Sequence, residues 1–136
     1  MPKFSVASIG QLQTCDERLQ KIALAAISVG PDFSIVEGHR GQIAQHQAFL
    51  TGKSKLDWPH GNHNAVPSRA FDFSPYPADW SEKELPHIRF AVIAGVLAAI
   101  AYGMGIKVRW GADWNRNWDP RDERFLDWGH IELDEP

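Results

Sequence analysis

The chain has 136 residues, of which 43% are hydrophobic and 23% charged, as in an ordinary folded domain. We therefore expect one catalytic domain over residues 1–136. The formal net charge is −3 and the two signs are interspersed, which argues against a nucleic-acid-binding surface. The single cysteine, Cys15, cannot form a disulfide within the chain, so a structural role is expected for it.

The sequence also argues against membrane insertion and export. The longest apolar run, residues 90–102, is shorter than the roughly 20 residues that a helix needs to cross a bilayer. The first ten residues include Lys3, but no apolar segment of the length found in signal peptides follows. We expect a protein that is made in the cytoplasm and does not insert into the membrane.

The first half of the chain alternates helical and extended patterns. Apolar residues recur with helical spacing over residues 9–29, and Ser8 is the expected N-cap. Residues 33–36 are rich in β-forming side chains and predict a strand, whereas residues 42–50 predict a second helix. Residues 51–68 are rich in Gly, Pro, Asn and His, which is typical of a loop.

The second half predicts three further strands and one long helix. Residues 70–73 alternate as a strand, and two more strands are expected at residues 106–110 and 129–133. A helix is predicted over residues 81–102, with a capping box at its start, and Pro86 marks an alternative first turn. Helices and strands mix without βαβ regularity, so the expected class is α+β, with a small, mainly antiparallel sheet and flanking helices.

Two histidines and one aspartate are candidate metal ligands. His63 lies in the predicted loop, and His130 begins the last predicted strand. Asp72 lies between Phe71 and Phe73, and a carboxylate buried there must be paired or must bind a metal. Two imidazoles and one carboxylate suit a catalytic zinc that keeps its fourth position for water.

The residues alone leave a second interpretation open. In it, Asp72 forms a buried ion pair with Arg69 or Arg109, and both histidines have only structural roles. The spacing does not decide between this interpretation and a metal site.

Residues 63–77, with the sequence HNAVPSRAFDFSPYP, followed by Asp79 and Trp80, resemble the metal motif of phage M15-family peptidases. These zinc enzymes are L-alanyl-D-glutamate endopeptidases that serve as endolysins, and they are relatives of the D-Ala-D-Ala carboxypeptidases. The resemblance covers residues 8–133. Further similar segments occur in order at residues 32–40, 47–54, 109–114 and 127–130.

The resemblance implies a fold like that of D-Ala-D-Ala carboxypeptidases and hedgehog proteins, with Zn²⁺ bound by His63, Asp72 and His130. It implies Asp127 as the general base, because a carboxylate beside an activated water can take its proton. It also implies that Arg40 polarises the substrate or stabilises the oxyanion. The same guanidinium suits bidentate binding of a substrate carboxylate, and the sequence does not separate these uses.

The function that the resemblance predicts is hydrolysis of the L-Ala–D-Glu bond in the stem peptide of bacterial peptidoglycan. The enzyme is expected to be a monomer, made in the host cytoplasm and acting on the cell wall after holin-type release. Residues 51–62 and 113–127 are expected to form the walls of its cleft. The alternatives are a D,D-carboxypeptidase or dipeptidase on the same scaffold, and an inactive zinc-stabilised wall-binding module.

Two positions depart from the pattern of the family. Members often have Ser-x-His at the first ligand, where this chain has Gly61-Asn62-His63. They often have Ser or Thr after the arginine, where this chain has Gly41. Neither change removes a ligand, but both alter the hydrogen bonds expected around the ligands.

The spacing between the general base and the last ligand raises a geometric question. Asp127 and His130 are three residues apart, so an ideal strand would direct them to opposite faces. We therefore expect Asp127 in the turn before the last strand, which Gly129 permits. Glu132 shares the face of His130 and is the alternative base.

Overall fold

The structure, a computed structural model, describes residues 1–136 and contains four α-helices and four β-strands. The helices are α1 (Val6–Leu12), α2 (Glu17–Val29), α3 (Gln42–Leu50) and α4 (Glu84–Gly103). The strands are β1 (Phe33–Glu37), β2 (Ala70–Pro75), β3 (Val108–Trp110) and β4 (His130–Leu133). Two short 3₁₀ helices, Asn62–Asn64 and Pro120–Asp122, lie in the long loops.

The strands form a single sheet in the order β1-β2-β4-β3, and every neighbouring pair is antiparallel. This confirms the predicted α+β class with a small antiparallel sheet. Successive side chains alternate between the two faces, so Phe71, Phe73 and Ile131 face one side while Asp72 and His130 face the other. The register pairs Asp72 with His130, which places two of the predicted ligands side by side.

Helix α4 packs on the apolar face of the sheet, and α2 packs against α4 to complete the core. Full burial of a large apolar side chain contributes about 1.5–3 kcal/mol, so this layer holds the sheet firmly against the helices. The opposite face is thereby left for polar groups. The main core side chains of the two helices are Leu19, Ile22, Ala26, Phe90, Ile93 and Leu97.

The predicted helix over residues 9–29 is in fact two helices. Asp16 caps the second helix by accepting a backbone hydrogen bond in its first turn. Ser5 caps the first helix, so the assignment of Ser8 as N-cap is wrong. Ser8 is buried inside α1, where its hydroxyl accepts a hydrogen bond from the backbone N–H of Ile35 at 3.1 Å.

Helix α4 begins three residues later than predicted. The backbone N–H of Ser81 donates to the side chain of Asp79 at 2.9 Å, and no capping box forms. The helix begins at Glu84, with Pro86 in its first turn, where the missing N–H of proline leaves no hydrogen bond unmade.

The full length of α4 also corrects the argument from the apolar run at residues 90–102. The helix has 20 residues and, by length and composition alone, is long and apolar enough to cross a membrane. This is weak evidence for a span, because the core helix of a globular protein meets the same criterion. Here Phe90, Ile93 and Leu97 of α4 are buried in the core.

Candidate active site

Three side chains meet at one point on the polar face of the sheet. Nε2 of His63 lies 3.2 Å from both Oδ1 of Asp72 and Nδ1 of His130, and these two atoms are 3.2 Å apart. All three residues are buried. Ligand atoms bound tetrahedrally to zinc at about 2.0–2.1 Å lie roughly 3.3–3.4 Å from one another. The triangle therefore has the size and the donor set that a zinc ion requires.

Each histidine is oriented by its other ring nitrogen. Nδ1 of His63 lies 2.7 Å from the carbonyl oxygen of Gly38, and Nε2 of His130 lies 2.8 Å from Oε1 of Glu132. Both oxygens can only accept, so these ring nitrogens carry the protons. In the neutral rings the lone pairs of His63 Nε2 and His130 Nδ1 then face the common point.

The carbonyl of Gly38 is held in place by a close approach to the end of α1. A Cβ at this position would lie 2.3 Å from Oγ1 of Thr14 and 2.4 Å from the carbonyl oxygen of Gln11. The N–H of Gly38 also donates to Oε1 of Gln11 at 3.0 Å. A side chain here would displace the carbonyl that orients His63, so only glycine fits. The sequence gives no signal for this role, because any residue has a carbonyl.

Arg40 lies buried behind Asp72. Its guanidinium donates to Glu37 through Nε at 2.7 Å, to Gln45 through Nη1 at 3.0 Å and to Asp72 Oδ2 through Nη2 at 3.4 Å. Nη2 also donates a second hydrogen bond, to Glu37. Four of the five N–H groups of the guanidinium are therefore engaged. Arg40 also lines the cavity of the site, and one N–H of Nη1 is left for a further acceptor.

The alternative pairing of Asp72 with Arg69 or Arg109 is wrong. The cation beside Asp72 is Arg40. Arg69 donates to the carbonyl oxygen of Glu135, and Arg109 donates to Glu132 at 2.8 Å. The sequence did not predict the pairing of Arg109 with Glu132, because this pair connects β3 with β4 and depends on the register of the two strands.

Asp127 lies in the turn before β4, as its spacing from His130 predicted. The N–H of His130 donates to the carbonyl oxygen of Asp127 at 3.2 Å. Gly129 permits the turn, since a Cβ there would lie 2.4 Å from the carbonyl oxygen of Phe73. Oδ2 of Asp127 is 4.0 Å from Nδ1 of His130, the nitrogen that faces the other ligands. Glu132, the alternative base, instead contacts Nε2, the other ring nitrogen of His130.

The buried charges of the site shift one another's pKa. Burial opposes ionisation of Asp72, but hydrogen bonds from His130 and His63 outweigh it and hold the pKa of Asp72 well below its ordinary value. Burial also opposes the charged form of His130, but hydrogen bonds to Asp72 and Glu132 outweigh it and raise its pKa to about 10. Burial, together with the negative charge of Asp72, raises the pKa of Asp127.

The cluster opens into a cavity of about 360 Å³. Its walls come from the loops at residues 51–62 and 113–127, which confirms the predicted location of the cleft. The ammonium group of one lysine lies over an aromatic ring, with Nζ of Lys55 at 5.1 Å from the centroid of Phe125. The wall side chains include Lys53, Lys55, Leu56, Trp114 and Phe125.

The family model described as phage L-alanyl-D-glutamate peptidase matches residues 1–134. The chain belongs to this family. The L-alanyl-D-glutamate peptidase of Escherichia phage T5 is 36% identical over 138 residues, which cover 96% of this chain and 97% of that protein. The resemblance to phage peptidases inferred from the sequence is thus confirmed.

The fold of this phage peptidase family member also has a counterpart in a solved structure. The crystal structure of the L-Ala D-Glu endopeptidase ChiX of Serratia marcescens has a TM-score of 0.74 and 23% identity. The match covers 96% of this chain and 90% of that chain. At this identity the comparison shows a shared fold, and it confirms the peptidase-like architecture expected from the sequence.

The pKa of His130 predicts how the stability of the metal-free protein depends on pH. Folding raises this pKa from 6.5 to about 10, so the charged pair stabilises the protein fully below pH 6.5 and progressively less as pH rises toward 10. We expect the Tm of chelator-treated protein to fall between pH 6.5 and 9.5, and to fall less in His130→Gln. Thermal unfolding followed by circular dichroism gives Tm as a function of pH for both proteins. An equal decrease of Tm with pH in the two proteins would contradict the prediction.

Proposed function

We propose that this protein is a zinc-dependent peptidoglycan endopeptidase that hydrolyses the L-Ala–D-Glu bond of the stem peptide. The observation that carries the proposal is the buried triangle of His63, Asp72 and His130, with Asp127 beside it. Family membership and the names of the relatives support the choice of bond. From membership of the same family we also propose that the protein is a monomer, is made in the host cytoplasm and acts on the cell wall after holin-type release.

Zinc is the metal that this donor set favours. His63 would bind through Nε2, His130 through Nδ1 and Asp72 through Oδ1, which are the atoms that face one another. Three protein ligands of this kind leave one coordination position for water or substrate. When bound, the ion would polarise the scissile carbonyl and lower the pKa of a coordinated water.

Asp127 is the proposed general base. Its carboxylate lies beside the ligands without belonging to the triangle, at 4.0 Å from Nδ1 of His130. Burial raises its pKa, which makes the carboxylate a better proton acceptor than one in water. We propose that Asp127 takes the proton of the attacking water and delivers it to the leaving amine.

Arg40 is proposed to stabilise the oxyanion. A bidentate grip on a substrate carboxylate needs two free N–H groups on one edge of the guanidinium. Glu37, Gln45 and Asp72 already engage four of the five, so the remaining N–H of Nη1 suits a single acceptor. The buried positive charge would also favour negative charge on the reacting carbonyl oxygen.

The charges around the cavity suit an acidic peptide. Lys53 and Lys55 lie on its walls, where Arg40 and Arg109 are paired with carboxylates. Four cationic side chains thus line the cavity, against the two carboxylates of Asp127 and Glu132. A stem peptide carries a free carboxylate next to the L-Ala–D-Glu bond, because D-Glu continues the chain through its side-chain carboxyl. Positively charged walls attract such a substrate and orient it toward the metal.

The metal assignment predicts one zinc per chain. We expect His63→Ala to lose the bound zinc, because two remaining ligands hold the ion weakly. A matched control is His46→Ala, since His46 is exposed and pairs with Asp57 away from the triangle. Elemental analysis after dialysis gives the stoichiometry. Equal zinc contents in the two variants would show that the triangle is not the site.

The base assignment predicts a loss of turnover without a loss of metal. In Asp127→Asn we expect kcat to fall by roughly 10²-fold or more, because the water loses its proton acceptor. Zinc content and Tm should stay near those of the unmodified protein. Asp32→Asn is the control, since Asp32 is exposed and does not line the cavity. A normal kcat in Asp127→Asn would show that another residue is the general base.

The proposed bond predicts the products of wall digestion. We expect zinc-loaded protein to generate new amino termini on D-Glu from purified peptidoglycan, and chelated protein to generate none until zinc is restored. Mass spectrometry of the released muropeptides identifies the new termini. Free D-Ala as the main product would indicate the carboxypeptidase alternative. Zinc binding without any product would indicate the inactive wall-binding module.

A further inference from the structure

Glu132 is a buried carboxylate with one partner for each oxygen. Its side chain is 6% exposed, Oε1 lies 2.8 Å from Nε2 of His130, and Oε2 lies 2.8 Å from Nη2 of Arg109. Burying a carboxylate costs free energy unless it is paired, so both contacts are needed to hold it there. Glu132 lies two positions after His130 on β4, and strand alternation therefore puts both side chains on the polar face.

Arg109 reaches Glu132 because of the sheet register. Strand pairing sets Arg109 directly opposite Glu132 on β3 and β4. The guanidinium also lies over the ring of Trp114, 5.3 Å from its centroid. The same indole packs against His130, with ring centroids 5.5 Å apart. The imidazole of His130 is thus bounded by Trp114 on one side and by Glu132 at Nε2.

We infer that Arg109 and Glu132 are a positioning pair that sets the tautomer and the ring orientation of His130 for zinc. This inference rests on the proposed zinc function. A neutral imidazole carries one proton, and a carboxylate at Nε2 keeps the proton on that nitrogen. Nδ1 then presents its lone pair to the triangle. The hydrogen bond from Arg109 holds the Glu132 side chain against the ring.

The two histidine ligands are therefore oriented by different means. His63 has a backbone carbonyl, that of Gly38, as its acceptor, so this orientation does not depend on a side chain. His130 depends on the side chain of Glu132, and Glu132 depends on Arg109. Removal of a hydrogen-bond partner of a ligating histidine typically weakens metal binding by roughly 10–100-fold. The affinity of the site is thus set in part by residues that do not touch the metal.

The test compares zinc dissociation constants by competition with a chromogenic chelator at one fixed pH. The proteins are the unmodified chain, Glu132→Gln, Arg109→Met and the control Asp134→Asn. Asp134 pairs with Arg116, whose side chain is 52% exposed, and it does not line the cavity. In Glu132→Gln the amide can turn its NH₂ group toward Nε2, which then shifts the ring proton to Nδ1.

We expect Glu132→Gln to weaken zinc binding roughly 10–100-fold and Arg109→Met to weaken it less, since Glu132 keeps its bond to His130. Asp134→Asn should bind zinc normally. At saturating zinc, Glu132→Gln should recover most of its kcat, because a positioning residue takes no part in proton transfer. If Glu132→Gln does not fold, Arg109→Met, which retains the carboxylate, decides the question.

Two results would overturn the inference. One is an unchanged zinc dissociation constant in every variant that folds, which would leave the pair a purely structural role. The other is normal zinc binding by Glu132→Gln with kcat lost even at saturating zinc, which would make Glu132 the base. An unmodified protein that binds no zinc would instead refute the proposed function, so the two failures are distinguishable.

Discussion

The carboxylate of Asp72 is the charge on which the rest of the site depends. It lies on a strand whose neighbouring side chains are in the core, so no water can stabilise it from that side. Its partners come from three parts of the chain: Arg40 after β1, His63 in the long loop and His130 on β4. Folding must bring these groups together, because each compensates a buried charge that is costly alone.

This compensation means that the cluster is already arranged before any metal is bound. In the metal-free protein, hydrogen bonds from the two histidines and the guanidinium of Arg40 balance the charge of Asp72. A bound zinc would replace protons with a stronger positive charge at the same point, with little rearrangement of the side chains. Asp72 and His130 are held by strands, and both histidines are held by hydrogen bonds at their outer ring nitrogens, an arrangement that keeps the geometry of a metal site accurate.

Much of this could be predicted from the sequence, for identifiable reasons. Asp72 between two phenylalanines is conspicuous because a charge there needs a partner, and the ordered motifs on both sides indicated the family. The break between α1 and α2 could not be predicted, since Asp16 interrupts an apolar pattern that remains helical on both sides. The pairing of Arg109 with Glu132 and the carbonyl of Gly38 were equally inaccessible. The first depends on strand register, and the second on a backbone atom that every residue possesses.

The contact between Gly38 and the end of α1 has a dynamic consequence. Residues 11–15 support the carbonyl that orients His63, although they are far from the other ligands in the chain. Helix α1 has only seven residues, and helices this short are marginally stable by themselves. When α1 opens, the imidazole of His63 loses the support that fixes its direction. The rate at which the site would exchange a bound ion is then linked to the local opening of the C-terminal end of α1.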